Sequence, residues 1–217
     1  MQRYSGYLFD LDGTLVDTAP DLHQALNHAL TTHNYMAVDI RHTRHWIGHG
    51  ARAMVTQALQ AELEDEPAQA TIDRVCDSFL PYYQDHVADH SQIYPEVLET
   101  LEILQHRGAG LAVVTNKVAR FATQLLKALD LSSYFASIVC GDTTSRAKPA
   151  ADPALHACAE LGLEVKEVLF VGDSTTDVGC ARAAGCAVVC VRDGYNHGIA
   201  AQALGADAVI ESFRDLV

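Results

Sequence analysis

Two aspartates near the start of the chain have the spacing of a paired acid site. Asp10 and Asp12 follow the apolar stretch 7–9, and Gly13 comes directly after them. Side chains two residues apart on an extended chain point to the same side, so the two carboxylates can converge on one spot. They repel each other unless a cation neutralises them or one of them keeps a proton. Both outcomes suit chemistry on an anionic, phosphorylated substrate.

Three further polar clusters follow apolar stretches later in the chain. They are Thr115-Asn116-Lys117, Lys148-Pro149, and the run Gly172-Asp173-Ser174-Thr175-Thr176-Asp177. In an open α/β sheet the carboxyl ends of the strands form the ligand-binding edge, so these clusters should meet the acidic pair there. Carboxylates can bind Mg²⁺. Hydroxyl groups and an ammonium can stabilise the oxygens of a transferring phosphoryl group.

Alternating strands and helices must position these clusters. Apolar strands are predicted at 111–115, 138–140, 168–171, 187–191 and 208–210, and helical patterns separate most of them. Continuous apolar strands of this kind predict a parallel sheet that is covered on both faces. The sequence therefore predicts a doubly wound, Rossmann-like α/β fold.

The segment 17–90 has a different composition and a different pattern. Helices are predicted at 20–33, 41–46, 51–63 and from 68 towards 90, and the segment has no Lys but eight of the eleven His. We expect it to be a small helical domain inserted after the first strand. The α/β core would then comprise residues 1–16 and 91–217.

Charge and composition narrow the class of partner. The chain has 28 Asp and Glu against 15 Lys and Arg, a formal net charge of −13, which would repel nucleic acid and anionic membrane surfaces. A small anionic metabolite is the expected partner, and the sequence leaves a monomer and a homodimer both open. The six cysteines form no Cys-x-x-Cys pair, and no signal peptide or membrane span is recognised. These features predict a cytoplasmic enzyme.

The octapeptide at residues 10–17, Asp-Leu-Asp-Gly-Thr-Leu-Val-Asp, resembles the signature of the haloacid dehalogenase superfamily. The later clusters resemble the other motifs of that superfamily, in the same order. The resemblance implies a phosphatase in which Asp10 attacks phosphorus and forms an aspartyl-phosphate. Asp12 would protonate the leaving alcohol and then deprotonate the hydrolytic water.

The same resemblance implies roles for the remaining motif residues. Thr115 and the backbone amide of Asn116 would bind the phosphoryl group, and Lys148 would pair with the phosphate and with Asp10. Mg²⁺ would be held by the side chains of Asp10 and Asp173 and by the backbone carbonyl of Asp12. Asp177 would be either an outer-shell carboxylate or a partner of Lys148. Ala151 departs from the motif, which commonly has a second Pro at that position.

Four stretches, 16–22, 45–50, 114–117 and 194–198, resemble the phosphoglycolate phosphatase branch of the superfamily. That branch implies 2-phosphoglycolate as substrate, and one of Arg41, Arg44 and Arg52 could bind its carboxylate bidentately. A solvated helix face is the alternative for each arginine. A β-phosphoglucomutase-like enzyme, a sugar-phosphate or nucleotide phosphatase, and a phospho-accepting switch domain are the alternative functions.

Overall fold

A computed structural model describes residues 3–63 and 65–217. Its strands, in chain order, are β1 Gly6–Phe9, β2 Val16–Asp17, β3 Gln92–Ile93, β4 Gly110–Val114, β5 Ser137–Val139, β6 Val168–Gly172, β7 Ala187–Val191 and β8 Ala208–Ile210. Six of them form one parallel sheet with the order β5-β4-β1-β6-β7-β8. The predicted doubly wound α/β fold is confirmed.

The central strand β1 has apolar side chains on both faces, which is why it lies in the middle of the sheet. Phe9 belongs to the hydrophobic core on one face and Leu8 to the core on the other, and neither is exposed to solvent. Burying each such side chain contributes about 1.5–3 kcal/mol. Because β1 pairs with β4 and β6, the residues that follow all three strands lie at one edge.

The described residues form eight α-helices, which surround and extend this sheet. They are α1 Ala19–Thr32, α2 Ile40–Trp46, α3 Ala51–Glu62, α4 Gln69–Asp85, α5 Val97–His106, α6 Ala119–Ala128, α7 Asp152–Leu161 and α8 Thr175–Ala184. Helices α1 to α4 occur between β2 and β3, and their apolar residues join the larger of the two hydrophobic cores. The division into a core and an inserted cap at residues 17–90 stays a prediction.

The structure differs from the sequence prediction in two places within this region. β2 and β3 form a two-stranded antiparallel pair that was not predicted, because two residues are too short to show a periodic pattern. Helix α4 ends at Asp85 and does not continue towards residue 90. The buried Asp21 carboxylate accepts the backbone N–H groups of His90 and Ser91, at 2.9 and 2.8 Å, and so fixes a loop there.

Within the described residues, no helix combines the length and the apolar character that a membrane crossing requires.

Candidate active site

A chain of two buried ion pairs lies at the carboxyl edge of the sheet. Lys148 Nζ is 2.7 Å from Asp10 Oδ1 and 2.6 Å from Asp177 Oδ1. It also donates to the backbone carbonyl of Val114, at 2.8 Å. Burial opposes the charge on Lys148, but the two carboxylates outweigh it and raise the pKa of the ammonium group. Lys148 is therefore held as a cation directly beside Asp10.

Asp177 sits in the first turn of α8 because it closes the N-terminus of that helix. Its Oδ2 accepts the backbone N–H groups of Asp173 and Ser174, at 3.1 and 3.0 Å, and the Ser174 hydroxyl, at 2.6 Å. Ser174 and Asp177 thus form a capping box. The other oxygen of Asp177 contacts Lys148. This contact fits one of the two roles predicted for Asp177, and both roles stay predictions.

Three buried carboxylates converge at the same place. Asp10, Asp173 and Asp177 each contribute one oxygen to a group whose members lie within 4.8 Å of one another. Burial, reinforced by the charge of Asp177, raises the pKa of Asp10 to about 7, although Lys148 opposes this. Burial and the neighbouring Asp177 and Asp10 likewise raise the pKa of Asp173 well above its ordinary value. A divalent cation with a preference for hard oxygen ligands would relieve this repulsion, so the donor set fits Mg²⁺.

Two neighbours orient Asp173, and two glycines leave room for it. Thr14 Oγ1 donates to Asp173 Oδ1 at 3.1 Å, and the backbone N–H of Tyr195 donates to Oδ2. A Cβ atom at Gly13 or at Gly194 would collide with the Asp173 side chain. Gly13 also has a φ of +89°, a conformation that other residues rarely adopt.

Asp12 has a partner that the sequence reasoning missed. Lys117 Nζ lies 2.8 Å from Asp12 Oδ1 and 3.1 Å from Oδ2, and Thr18 Oγ1 donates to Oδ1 at 2.6 Å. The Lys117 side chain is only 5% exposed. Lys117 belongs to the Thr115-Asn116-Lys117 cluster, but only its two neighbours were given roles. Its position shortly after β4, a strand that ends at the site, is the feature of the sequence that could have indicated a role for Lys117.

Thr115 and Asn116 lie on the same loop and have different surroundings. Thr115 is buried and lines the cavity described below. The Asn116 amide donates to the carbonyls of Gly48 and Lys148, at 2.9 and 3.1 Å, and accepts the backbone N–H of Lys148 at 3.0 Å. The Asn116 side chain therefore joins three loops. Contact of Asn116 with a substrate stays a prediction.

A cavity of about 330 Å³ separates the sheet edge from the helical segment. Asp10, Asp12, Thr115, Lys117 and Lys148 line it from the sheet side. Its opposite wall comes from α1, α3, α4 and the loop before α3, and includes Leu22, His49, Arg52, Met54, Phe79 and Tyr83. The volume suits a small ligand.

The three arginines proposed for substrate binding lie in three different environments. Arg52 lines the cavity and pairs with Asp73 at 2.6 Å, with half of its side chain exposed. Arg41 pairs with its neighbour Asp39 at the surface. Arg44 donates to Asp17 at 2.7 Å. Only Arg52 of the three is brought to the cavity, and a substrate role for any of them stays a prediction.

Tyr195 connects the acidic cluster with the start of the helical segment. Its buried hydroxyl donates to Asp17 and accepts the backbone N–H of Ala19 at 2.9 Å. The Arg44 guanidinium lies 5.4 Å from the centre of the Tyr195 ring. Because the backbone of Tyr195 also holds Asp173, this residue links a candidate metal ligand to the entry of α1. The stretch 194–198 carried a family resemblance, but no site role was predicted for it.

The chain is similar to known proteins over most of its length. The model of the haloacid dehalogenase-like hydrolase family matches residues 7–191. The chain is 39% identical to a phosphoglycolate phosphatase of Chromobacterium violaceum, covering 100% of this chain and 96% of that protein. It is 38% identical to a phosphoglycolate phosphatase of Thiobacillus denitrificans, covering 96% and 92% of the two proteins.

The fold is also similar to that of a solved structure. A crystal structure of a predicted phosphoglycolate phosphatase from Haemophilus somnus 129pt superposes with a TM-score of 0.94 at 35% identity, covering 100% of this chain and 97% of that one. The match spans the motif strands and the helical segment together. The chain therefore belongs to the haloacid dehalogenase-like hydrolase family and is a phosphatase of that family.

Proposed function

We propose that this phosphatase hydrolyses 2-phosphoglycolate to glycolate and phosphate, through an aspartyl-phosphate on Asp10 and with Mg²⁺ as cofactor. The observation that carries the proposal is the buried Lys148–Asp10 ion pair at a cavity that Asp12 also lines. The relatives named phosphoglycolate phosphatase, matched over nearly the whole chain, support the choice of substrate.

In the first step, a carboxylate oxygen of Asp10 attacks phosphorus and the bond from phosphorus to the ester oxygen breaks. The leaving oxygen takes a proton from Asp12, so that an alcohol and not an alkoxide departs. Two moderate barriers replace one very high barrier, because the phosphoryl group rests on Asp10 between the steps. Asp10 and Asp12 line the same cavity, which supports this division of roles between them.

In the second step, Asp12 removes a proton from water, and the water oxygen attacks phosphorus. The bond between phosphorus and Asp10 breaks, which releases phosphate and restores both aspartates. Lys148 would stay beside Asp10 in both steps and offset the negative charge of the phosphoryl oxygens. The Thr115 hydroxyl and the backbone N–H of Asn116 would donate to those oxygens.

Asp10, Asp173 and the Asp12 backbone carbonyl would hold Mg²⁺. When bound, the ion supplies positive charge that stabilises the phosphoryl oxygens and the attacking carboxylate. The buried, mutually repelling carboxylates support this assignment.

We further propose that residues 17–90 act as a cap over the catalytic core and that the enzyme is cytoplasmic. The cap proposal is supported by the cavity, whose wall opposite Asp10 comes from helices of this segment. The six buried cysteines are all free thiols, which suits a reducing compartment.

Phosphate release from a panel of monoesters tests the proposal. The panel contains 2-phosphoglycolate, a hexose phosphate and a nucleoside monophosphate, each assayed with Mg²⁺ and with a chelator. We expect 2-phosphoglycolate to have the highest kcat/KM and the chelator to abolish turnover. Asp10→Asn should lower kcat at least about 10³-fold, because it removes the nucleophile. The exposed Asp77→Asn on α4 is the matched control.

Each rival function predicts a different result from this panel. Preference for the sugar phosphate or the nucleotide would reject the substrate. Isomerisation of a hexose phosphate without phosphate release would favour a mutase. Persistent phosphorylation of Asp10 without turnover would favour a switch domain.

A further inference from the structure

The cavity that Asp12 lines has apolar side chains in its opposite wall. Leu22, Met54 and Phe79, from three helices, belong to this wall, and all three are buried. A leaving group that extends from Asp12 towards it loses contact with water. A charged leaving group therefore requires a protein partner of opposite charge there.

Lys117 is a buried cation in this position. Among the described residues, the hydrogen-bond acceptors of its ammonium group are the two Asp12 oxygens, at 2.8 and 3.1 Å. An ammonium has three N–H donors, so one remains for a ligand. Burial acts against the charge of Lys117, but the Asp12 carboxylate outweighs it and raises the pKa of the ammonium group.

Tyr83 supplies a second donor from the opposite wall. Its side chain is 1% exposed, and its hydroxyl has no hydrogen-bond partner within the described part of the chain. The centre of its ring is 4.9 Å from Lys117 Nζ, and both residues line the cavity. A buried hydroxyl without a partner destabilises the ligand-free protein, and a bound anion would satisfy it.

The distances suit a carboxylate close to the ester oxygen. To transfer a proton, Asp12 must come within about 3.2 Å of that oxygen, which brings Lys117 Nζ within about 6 Å of it. In 2-phosphoglycolate, one methylene separates the ester oxygen from the carboxylate, whose oxygens lie about 3 Å from the ester oxygen. The remaining gap matches a charge-assisted hydrogen bond of about 2.8 Å.

Arg52, which also lines the cavity, is less suited to this task. Its side chain is 53% exposed, and its guanidinium already pairs with Asp73. An exposed and paired charge contributes little to the binding of an anion, since water screens it. Lys117 is also paired, with Asp12, but its side chain is only 5% exposed, so water screens its charge far less.

From these contacts we propose that Lys117 and Tyr83 together bind the carboxylate of the leaving group and so determine the substrate specificity of the enzyme. The proposal depends on the proposed function, because it assigns the carboxylate of 2-phosphoglycolate to a named pair of residues. Lys117 comes from the core and Tyr83 from α4, so the binding site is complete only when both walls are in place.

The test compares 2-phosphoglycolate with 2-hydroxyethyl phosphate, in which a neutral CH₂OH group replaces the carboxylate. The measured quantity is the ratio of the two kcat/KM values of the enzyme in the presence of Mg²⁺. Lys117→Met should lower this ratio about 10- to 100-fold, the usual effect of losing a charge-assisted hydrogen bond. Because Lys117 also contacts Asp12, both rates should fall, and only the ratio reports recognition of the carboxylate.

Tyr83→Phe provides a milder second variant. It removes only the hydroxyl, so the ratio should fall about 3- to 10-fold while the melting temperature does not decrease. Lys127→Met and Tyr82→Phe are the matched controls, and neither should change the ratio. Lys127 is exposed on α6, and the ring of Tyr82 stacks on His28.

The outcomes separate this proposal from the proposed function. In one outcome, the wild-type enzyme prefers 2-phosphoglycolate, and both Lys117→Met and Tyr83→Phe keep that preference. This result would contradict the carboxylate-binding role of Lys117 and Tyr83 and would still support the proposed function. A fall in the ratio for Arg52→Gln without a fall for Lys117→Met would assign the carboxylate to Arg52. A wild-type ratio near one would overturn both proposals.

Discussion

Lys148 illustrates how much a single buried side chain holds in place. It neutralises Asp10 and Asp177 at once and also satisfies a strand carbonyl. A buried carboxylate that loses its partner either stays charged at high cost or takes up a proton. Removal of the ammonium should therefore affect the folded state as well as the reaction.

Lys148→Met is expected to lower the free energy of unfolding by about 3–5 kcal/mol and to abolish phosphate release. The physical reason is that two carboxylates remain buried without their shared cation. Urea denaturation and a phosphate assay measure the two effects. Lys127→Met removes an exposed charge and should change stability by less than about 0.5 kcal/mol. A stable Lys148→Met protein with normal turnover would contradict both the ion-pair chain and the proposed role.

Sequence reasoning at the residue scale found side chains attached to recognisable motifs and missed those defined by packing. Asp10, Lys148 and Asp173 follow apolar strands, so sheet topology brings them together. The contact of the Lys117 side chain with Asp12 forms only in the folded protein, because the two residues are far apart in the sequence. Tyr195 lies on an irregular loop, and no local pattern indicates that its hydroxyl reaches Asp17.

At the scale of elements, the N-terminus of α8 contributes to the order of the acidic cluster. The Ser174 hydroxyl donates to the same Asp177 oxygen that accepts two backbone N–H groups, while the other oxygen contacts Lys148. The helix cap and the ion pair therefore share one carboxylate. The sequence predicted the helix but could not show this sharing, because it depends on the orientation of α8 against the sheet.

Ser174→Ala should lower the free energy of unfolding by about 1 kcal/mol, the usual cost of losing an N-cap side chain. Asp177 would keep its ion pair with Lys148 and lose the hydrogen bond that the Ser174 hydroxyl donates. Thermal or urea unfolding measures the change. The exposed Ser133→Ala, outside any α-helix, should leave stability within about 0.5 kcal/mol of the wild type. Equal effects of the two variants would argue against the capping box.

The connection between β2 and α1 depends on Tyr195. Tyr195→Phe should lower the free energy of unfolding by about 1–3 kcal/mol, because it leaves the N–H of Ala19 with only its longer bond to Asp17, at 3.3 Å, and removes a donor to Asp17. Tyr134→Phe removes a hydroxyl that makes one long contact with Glu102 at the surface, and it should have little effect. Chemical denaturation compares the two variants, and similar midpoints would contradict the importance of this connection.

For the molecule as a whole, the parallel sheet was predictable because its strands are apolar on both faces. The cavity was not, since its walls come from side chains far apart in the sequence, such as Leu22 and Phe121. The net charge of −13 is also a property of the whole chain. It makes local positive charge at the site necessary for binding an anion.

Metal binding should be visible as stabilisation of the folded protein. Saturating Mg²⁺ is expected to raise the melting temperature by about 5–10 °C, because the folded protein groups the carboxylates and the unfolded chain does not. Asp173→Asn should reduce this shift strongly, whereas Asp77→Asn should keep it. Differential scanning calorimetry with and without Mg²⁺ measures the shift. An equal shift in both variants would mean that the ion binds elsewhere.

Asn116 divides its hydrogen bonds between a neighbouring loop of the sheet and a loop of the helical segment. Were the helices to swing outwards, the bond to the Gly48 carbonyl would break while the two bonds to the Lys148 backbone could persist. The bond from the Gln124 side chain to the Gln84 carbonyl and the bond between the His197 ring and the His45 carbonyl would break as well, whereas Lys148 would keep both of its carboxylate partners. The enzyme could admit and release small molecules on each turnover without having to rebuild its reactive centre.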